Sequence, residues 1–430
     1  MVKIRNGGFS LYKINKLKNG IRVVTEKIDY VKSVSVGVWV GAGSAFENGE
    51  NNGVSHFIEH MLFKGTKTRS AKEIAEYMDS VGGQLNALTA KEYTCYYAKT
   101  LTEHSSMSFE ILSDMYRNST FSEENIATER RVISEEINMS EDTPEDAVHD
   151  SLSRIMWRES PLGFPIAGTD GSLEKIDRRT MLDYRDRFYC GENTVISVVG
   201  NFDEDGVMAQ LEEKFGGLRC EFEKAEPLKK INVTRGGTLI KKDIEQCHLC
   251  MGLEGLNRND GNLYDLLVVN ALFGGNMSSR LFQRVREEKG LAYSIYSYVN
   301  SYKNNGSFVI YAGLNTESIC DALAIINKEI RELKKNKLSE GEISVAKEQL
   351  KASVIMGLEG MSARMSSYGK SILFDNRIKT ADDIVEYIDK VNVNSVADTI
   401  DRIFDISRLN MAIIGRLDGD GREEFNIMDF

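Results

Sequence analysis

Cysteine, histidine, basic charge and long apolar runs are all in short supply in this 430-residue chain. Its six cysteines, Cys95, Cys190, Cys220, Cys247, Cys250 and Cys320, are spread thinly. That is unlike the dense framework that staples small secreted domains, so reduced thiols are expected. No apolar run approaches the roughly 18 residues of a membrane-spanning helix. The longest candidates are strand-like, such as Phe308-Val-Ile-Tyr-Ala-Gly-Leu314, and no membrane partner is expected. With 54 basic against 65 acidic side chains, the formal net charge is −11. Nucleic-acid binding needs a basic surface to meet phosphates, so that class is excluded too. Neither a Gly-rich phosphate loop nor a Gly-x-Ser-x-Gly elbow occurs.

What remains is a globular chain, 41% hydrophobic and 28% charged, with ample material for a core. Lys3, Arg5, Lys13, Lys16 and Lys18 precede the first acid, in the manner of a transit peptide, but Gly7-Gly8 interrupts any helix there. Asn19-Gly20 reads instead as a hairpin turn between strands at 11–17 and 21–25. The cytoplasm is the expected compartment.

The two halves echo each other. Ser33-Val-Ser-Val-Gly-Val-Trp-Val40 alternates as a strand and is followed by a helical pattern from Gly53 to Lys64; Cys247-His-Leu-Cys-Met-Gly252 is followed by one from Leu263 to Phe273. Leu62-Phe63 matches Leu272-Phe273 at an offset of 210 residues. Phe121-Ser-Glu-Glu-Asn-Ile126 matches Leu338-Ser-Glu-Gly-Glu-Ile343 at 217, each a Ser-capped opening of a long helix. Val195-Ile-Ser-Val-Val-Gly200 matches the segment ending at Gly415 at 215. Similar offsets in the same order indicate one fold written twice. The expected class is α+β: two homologous domains, each a mainly antiparallel sheet with helices packed on one face. Their expected bounds are 1–215 and 233–430, with a linker at 216–232 that contains Gly216-Gly217 and Pro227.

Within the first repeat helix the chain reads His56-Phe-Ile-Glu-His60. Histidines at i and i+4 lie on one helix face, so both imidazoles reach one ion, while Glu59 flanks it. Surface or cap histidines would give the same pentapeptide. A second long helix carries Glu129 and Glu136 in Thr128-Glu-Arg-Arg-Val-Ile-Ser-Glu-Glu136, seven residues apart on one face, and either supplies a third oxygen ligand. Catalytic zinc takes three protein ligands and keeps a position for water. A solvated charged face, with Arg130 and Arg131 in local ion pairs, is the plainer reading of that helix. Cys247 and Cys250 lie on an apparent strand and face opposite sides, which fits core cysteines better than a metal pair. His104 and His149 look isolated.

Together these residues resemble the pitrilysin/insulinase family of zinc peptidases with the inverted zinc motif. Within it they are similar to the two-domain bacterial members and to the mitochondrial processing peptidase beta subunit. The resemblance covers nearly the whole chain: the pentapeptide, Gly82-Gly-Gln-Leu-Asn-Ala-Leu-Thr89, Glu129 to Glu136, and Ser279-Arg-Leu-Phe-Gln-Arg-Val-Arg-Glu-Glu-Lys-Gly-Leu-Ala-Tyr293. It implies His56, His60 and Glu136 as ligands of one Zn2+ per chain, Glu59 as general base and Glu129 as a supporting acid. It implies that a peptide substrate lies extended along an exposed strand at Gly83, Asn86, Ala87 and Thr89, and that Arg286 and Tyr293 serve the scissile carbonyl. The second-half helix has Leu266, Val269 and Asn270 where the first has His56, Glu59 and His60, so that domain lacks the zinc set. Family members of this length form a chamber of four domains, which implies a homodimer with Arg286 and Tyr293 acting in trans on peptides or unfolded polypeptides. The alternative is a catalytically silent peptide-binding or scaffolding homologue, as in the core subunits of a respiratory complex. Such relatives typically lose the metal set, which is intact here.

Overall fold

The computed structural model describes residues 12–158, 160–222 and 229–416. Gly7-Gly8 and Pro227 therefore lie outside the described residues. The chain forms two compact units: Met1–Ile137 with Pro165–Glu226 and Met356–Thr380, and Asn138–Phe164 with Pro227–Ile355 and Ala381–Phe430.

The first unit holds a six-stranded sheet of β1 (Tyr12–Lys16), β2 (Arg22–Lys27), β3 (Ser33–Val40), β4 (Gln84–Thr89), β5 (Thr94–Leu101) and β6 (Thr194–Gly200) in the order β1-β2-β6-β3-β5-β4. β1 and β2 form the hairpin expected around Asn19-Gly20, with Gly20 at φ 95°, where a side chain is rarely accommodated. The second unit holds β7 (Gly236–Lys241), β8 (Gln246–Glu254), β9 (Ala292–Ser301), β10 (Gly306–Asn315) and β11 (Asn410–Gly415) in the order β7-β11-β8-β10-β9. From β2 onward the first sheet matches the second strand for strand. The single parallel pair recurs as well, β2 with β6 and β7 with β11, and every other pair is antiparallel. The α+β class and the internal repeat are thus both present.

Alternation explains β3. Val34, Val36, Val38 and Val40 face a core built with Phe57, Ile58, Phe109, Leu112 and Tyr184, whereas Trp39 faces Val24, Cys95, Val195 and Val199 on the other side. That second face is covered by the helix Met361–Asp375, through Met365, Tyr368 and Ile372. The second unit repeats the arrangement: the helix Pro144–Met156 lies on its sheet, with Met156 and Leu152 against Gly252 of β8. Each sheet therefore has helices on one face and one further helix on the other, and that helix comes from the other half of the sequence. Helix periodicity reports only that a stripe is apolar, not which sheet it covers, so this exchange is not visible in the sequence.

His149 is not isolated. It lies on that exchanged helix, with Nδ1 2.9 Å from the Tyr298 hydroxyl and 3.2 Å from Cys250 Sγ, and its ring stacks on Tyr311. The neighbours come from β8, β9 and β10, far away in sequence. His104 is the N-cap residue of the helix Ser105–Asn118. Cys247 and Cys250 are both buried on β8, and all six cysteines are free thiols. No helix among the described residues is long and apolar enough to cross a membrane.

Candidate metal centre

The helix Val54–Leu62 buries Val54, Phe57, Ile58, Met61 and Leu62 in the first core, and this fixes which way its remaining residues face. His56, Glu59 and His60, at i, i+3 and i+4, fall on the opposite stripe and stay half-buried. The helix begins at Gly53 with φ 96° and has no side-chain cap of its own. Glu47 supplies one from upstream: its carboxylate accepts from the Gly53 and Ser55 backbone N–H groups at 2.7 and 2.8 Å, and from Asn52 Nδ2 at 2.9 Å. These groups would otherwise be unmet donors at a buried helix end. Burial pushes the Glu47 carboxyl above its ordinary range, and the same hydrogen bonds hold it back.

The helix Glu123–Asp142 buries Ile126, Glu129, Ile133 and Ile137, spacings of three and four that make one stripe. Glu129 is on it, only 2% exposed, which overturns the solvated-face reading for that residue. Arg130 donates to the Leu173 and Ile176 carbonyls. Glu136, two turns on, is half-buried, and Glu135 beside it is exposed.

His56, His60 and Glu136 come together. One donor atom from each lies within 4.8 Å of the others, and among the described residues no other group of three or more His, Cys, Asp or Glu side chains converges so closely. Glu136 Oε2 is 3.7 Å from His56 Nε2 and 3.5 Å from His60 Nε2. A tetrahedral zinc with bonds of about 2.0–2.1 Å has ligand-to-ligand edges of roughly 3.3–3.4 Å, so the three donors need only small adjustments to hold one ion. The imidazoles meet edge to face with centroids 4.6 Å apart. Burial, with His60 as neighbour, lowers the His56 pKa to about 4, so its ring is neutral and has a lone pair to give at neutral pH. The donor set therefore fits a zinc ion.

Glu129 contributes no donor to that group. Its Oε2 lies 3.1 Å from His60 Nδ1, the nitrogen turned away from Glu136, and its Oε1 lies 2.8 Å from Lys64 Nζ. Glu59 lies on the same half-buried stripe of the helix as His56 and His60. The Thr89 hydroxyl, at the end of β4, donates to Glu59 Oε2. Burial raises the Glu59 carboxyl above its ordinary range and Glu136 adds to this, opposed by the Thr89 hydrogen bond and by His60.

β4 is an edge strand whose residues alternate between exposed and half-buried, and among the described residues it pairs on one side only, with β5. Asn86 and Ala87 sit at its middle, where the Asn86 side chain accepts from the Ala87 N–H at 2.8 Å. Gly83 leads into it, packed against the Met78 and Thr100 side chains. Arg286 and Tyr293 belong to the second unit. The Arg286 guanidinium stacks 4.7 Å from the Phe282 ring centroid and 5.9 Å from that of Tyr293, and Tyr293 is 77% exposed. In the equivalent helix, Leu263–Phe273, Leu266 and Val269 are core residues and Asn270 accepts from Ser297. Sequence reading missed Lys64 and Glu47, whose partners lie 65 and at most eight residues away. The one available signal was for Glu129, an acid in phase with Ile126 and Ile133.

Residues 22–170 match the family described as "Insulinase (Peptidase family M16)", and residues 175–350 match "Peptidase M16 inactive domain". A Bacillus subtilis protein named "uncharacterized zinc protease YmxG" is 43% identical over 379 residues, covering 88% of this chain and 92% of the relative. A Rickettsia felis "uncharacterized zinc protease" is 38% identical over 410 residues, covering 94% and 97%. Among solved structures, a protease from Helicobacter pylori superposes with a TM-score of 0.88 at 21% identity, covering 94% of this chain and 99% of the other, which shows a shared fold.

Proposed function

Because the chain belongs to the insulinase family of peptidases, family M16, we propose that it is a zinc-dependent endopeptidase acting on short or unfolded polypeptides. The observation that carries this reading is the convergence of His56, His60 and Glu136, with Glu59 on the same helix stripe as the two histidines. His56, His60 and Glu136 would hold the ion. When bound, zinc polarises a peptide carbonyl and lowers the pKa of a water to about 7.

The protein's own groups do the rest. Glu59 takes the proton from the attacking water and passes it to the leaving amine. A carboxyl raised by burial is a stronger base than an exposed glutamate, which suits it to taking that proton. Thr89 holds one Glu59 oxygen and leaves the other for the proton. The peptide lies extended along β4, adding a strand at Gly83, Asn86, Ala87 and Thr89; backbone hydrogen bonds accept almost any sequence, which is why unfolded chains are the substrates. Asn86 swings off the Ala87 N–H to expose that donor.

Arg286 and Tyr293 supply donors for the carbonyl oxygen as it gains charge. Their exposure supports an approach by substrate from outside their own unit, and in a homodimer they act on the partner's substrate. Sequence repeats at 1–215 and 233–430, which exchange the helices Pro144–Met156 and Met361–Asp375 between the compact units, and a cytoplasmic location, supported by six free thiols, complete the reading.

The test is Glu59→Gln assayed with a quenched peptide library. Cleavage falls by roughly 10²–10⁴-fold while zinc is retained; a variant that still cleaves at the native rate removes Glu59 from the mechanism.

A further inference from the structure

Lys64 has two separate holds on the helix that carries Glu136, and neither follows from the metal ligands themselves. It lies just past the ligand helix Val54–Leu62. Its carbonyl accepts from Asn125 Nδ2 at 2.7 Å, and its ammonium lies 2.8 Å from Glu129 Oε1. Asn125 and Glu129 are i and i+4 on one face, and Glu136 is two turns further along. We propose that Lys64 is a positioning residue for the metal site, acting through Glu129 on His60.

The chemistry follows from what a buried carboxylate requires. Glu129 is 2% exposed, so both of its oxygens need protein donors. Oε2 has His60 Nδ1, and Oε1 has Lys64 Nζ. With both oxygens held, the carboxylate stays in one orientation and fixes the His60 ring through Nδ1. That hold turns Nε2, the nitrogen 3.5 Å from Glu136, toward the other donors. Without the ammonium, Oε1 loses this partner, the carboxylate turns toward water, and the ring orientation of His60 is no longer fixed. The Lys64 side chain keeps 35% of its surface exposed, so water is within its reach.

This inference rests on His56, His60 and Glu136 being the zinc ligands, and its test separates the two claims. Zinc affinity is measured on the full-length protein by chelator competition for wild type, Lys64→Met, Lys64→Arg and the surface control Lys72→Met, alongside the thermal midpoints of the metal-free chains. Lys64→Met weakens zinc binding by roughly 10-fold or more. Lys64→Arg restores most of it, and Lys72→Met leaves it unchanged. In a Glu129→Gln background, Lys64→Met adds no further loss. Lys64→Gln, read by the same thresholds, replaces Lys64→Met if that chain does not fold. Affinity within twofold of wild type, whatever the midpoint does, reduces Lys64 to a brace and overturns the proposal, and so does an additive loss in the Glu129→Gln background. A wild-type chain that binds no zinc contradicts the metal site itself instead.

Discussion

The Thr89 hydroxyl donates a hydrogen bond to Glu59 Oε2, joining the last residue of the edge strand β4 to the carboxylate on the helix of His56 and His60. A single contact thus links the strand proposed to hold substrate with the group proposed to move its proton.

Removing that hydroxyl tests the link. Thr89→Val keeps the shape and deletes the donor; a hydrogen bond to a charged group is worth about 1.5–3 kcal/mol, so kcat falls roughly 10-fold or more with KM little changed. Thr89→Ser restores most of the rate. A rise in KM alone, seen in steady-state kinetics, makes Thr89 a substrate contact and not a support for Glu59.

Glu47 makes a stability prediction. Glu47→Ala leaves the Gly53 and Ser55 N–H groups without acceptors at a buried helix end, each worth about 1–3 kcal/mol, and the denaturation midpoint drops accordingly. The pH dependence has a definite sign. Because the folded-state pKa of Glu47 lies above its ordinary value of 4.5, the folded chain holds the proton more tightly than the unfolded chain. Stability tied to that proton is present below 4.5 and is lost as pH rises through the higher folded value. Glu47→Gln does not titrate, so denaturant titrations of the metal-free protein show a shallower decline with pH for this variant than for wild type.

How much of this was legible in the sequence follows from how local each feature is. The pentapeptide, Glu136 seven residues beyond Glu129, and the matching strands of the two halves are short-range patterns, and the structure carries them all. The Glu47 cap spans an irregular segment that has no period to read. The Lys64 contact with Glu129 and the surroundings of His149 depend on tertiary packing. The exchange of the helices Pro144–Met156 and Met361–Asp375 is a property of topology, and an apolar stripe alone does not disclose it.

The exchanged helix gives its own prediction. A Cβ on Gly369 would stand 2.2 Å from Trp39 Nε1, and that nitrogen donates to Ser197 at 2.8 Å. Gly369→Ala therefore forces the helix off the sheet and costs about 1–3 kcal/mol, read from thermal or denaturant unfolding. An unchanged midpoint contradicts the close approach of this helix to Trp39.

The trans arrangement is tested by mixing chains. Glu59→Gln and Tyr293→Phe are each weak or inactive alone. Their mixture regains part of the activity, because one kind of mixed site has both residues intact. No recovery, with mixed dimers shown to form, contradicts action in trans.

The central claim is that one ion held by His56, His60 and Glu136 makes this chain a peptidase. Zinc content and peptide cleavage, followed together on the purified chain before and after chelation, test it most directly. The account predicts one zinc per chain, loss of cleavage when the metal is removed, and recovery when zinc is returned. A chain that holds no zinc, or that cleaves equally well without it, contradicts the account.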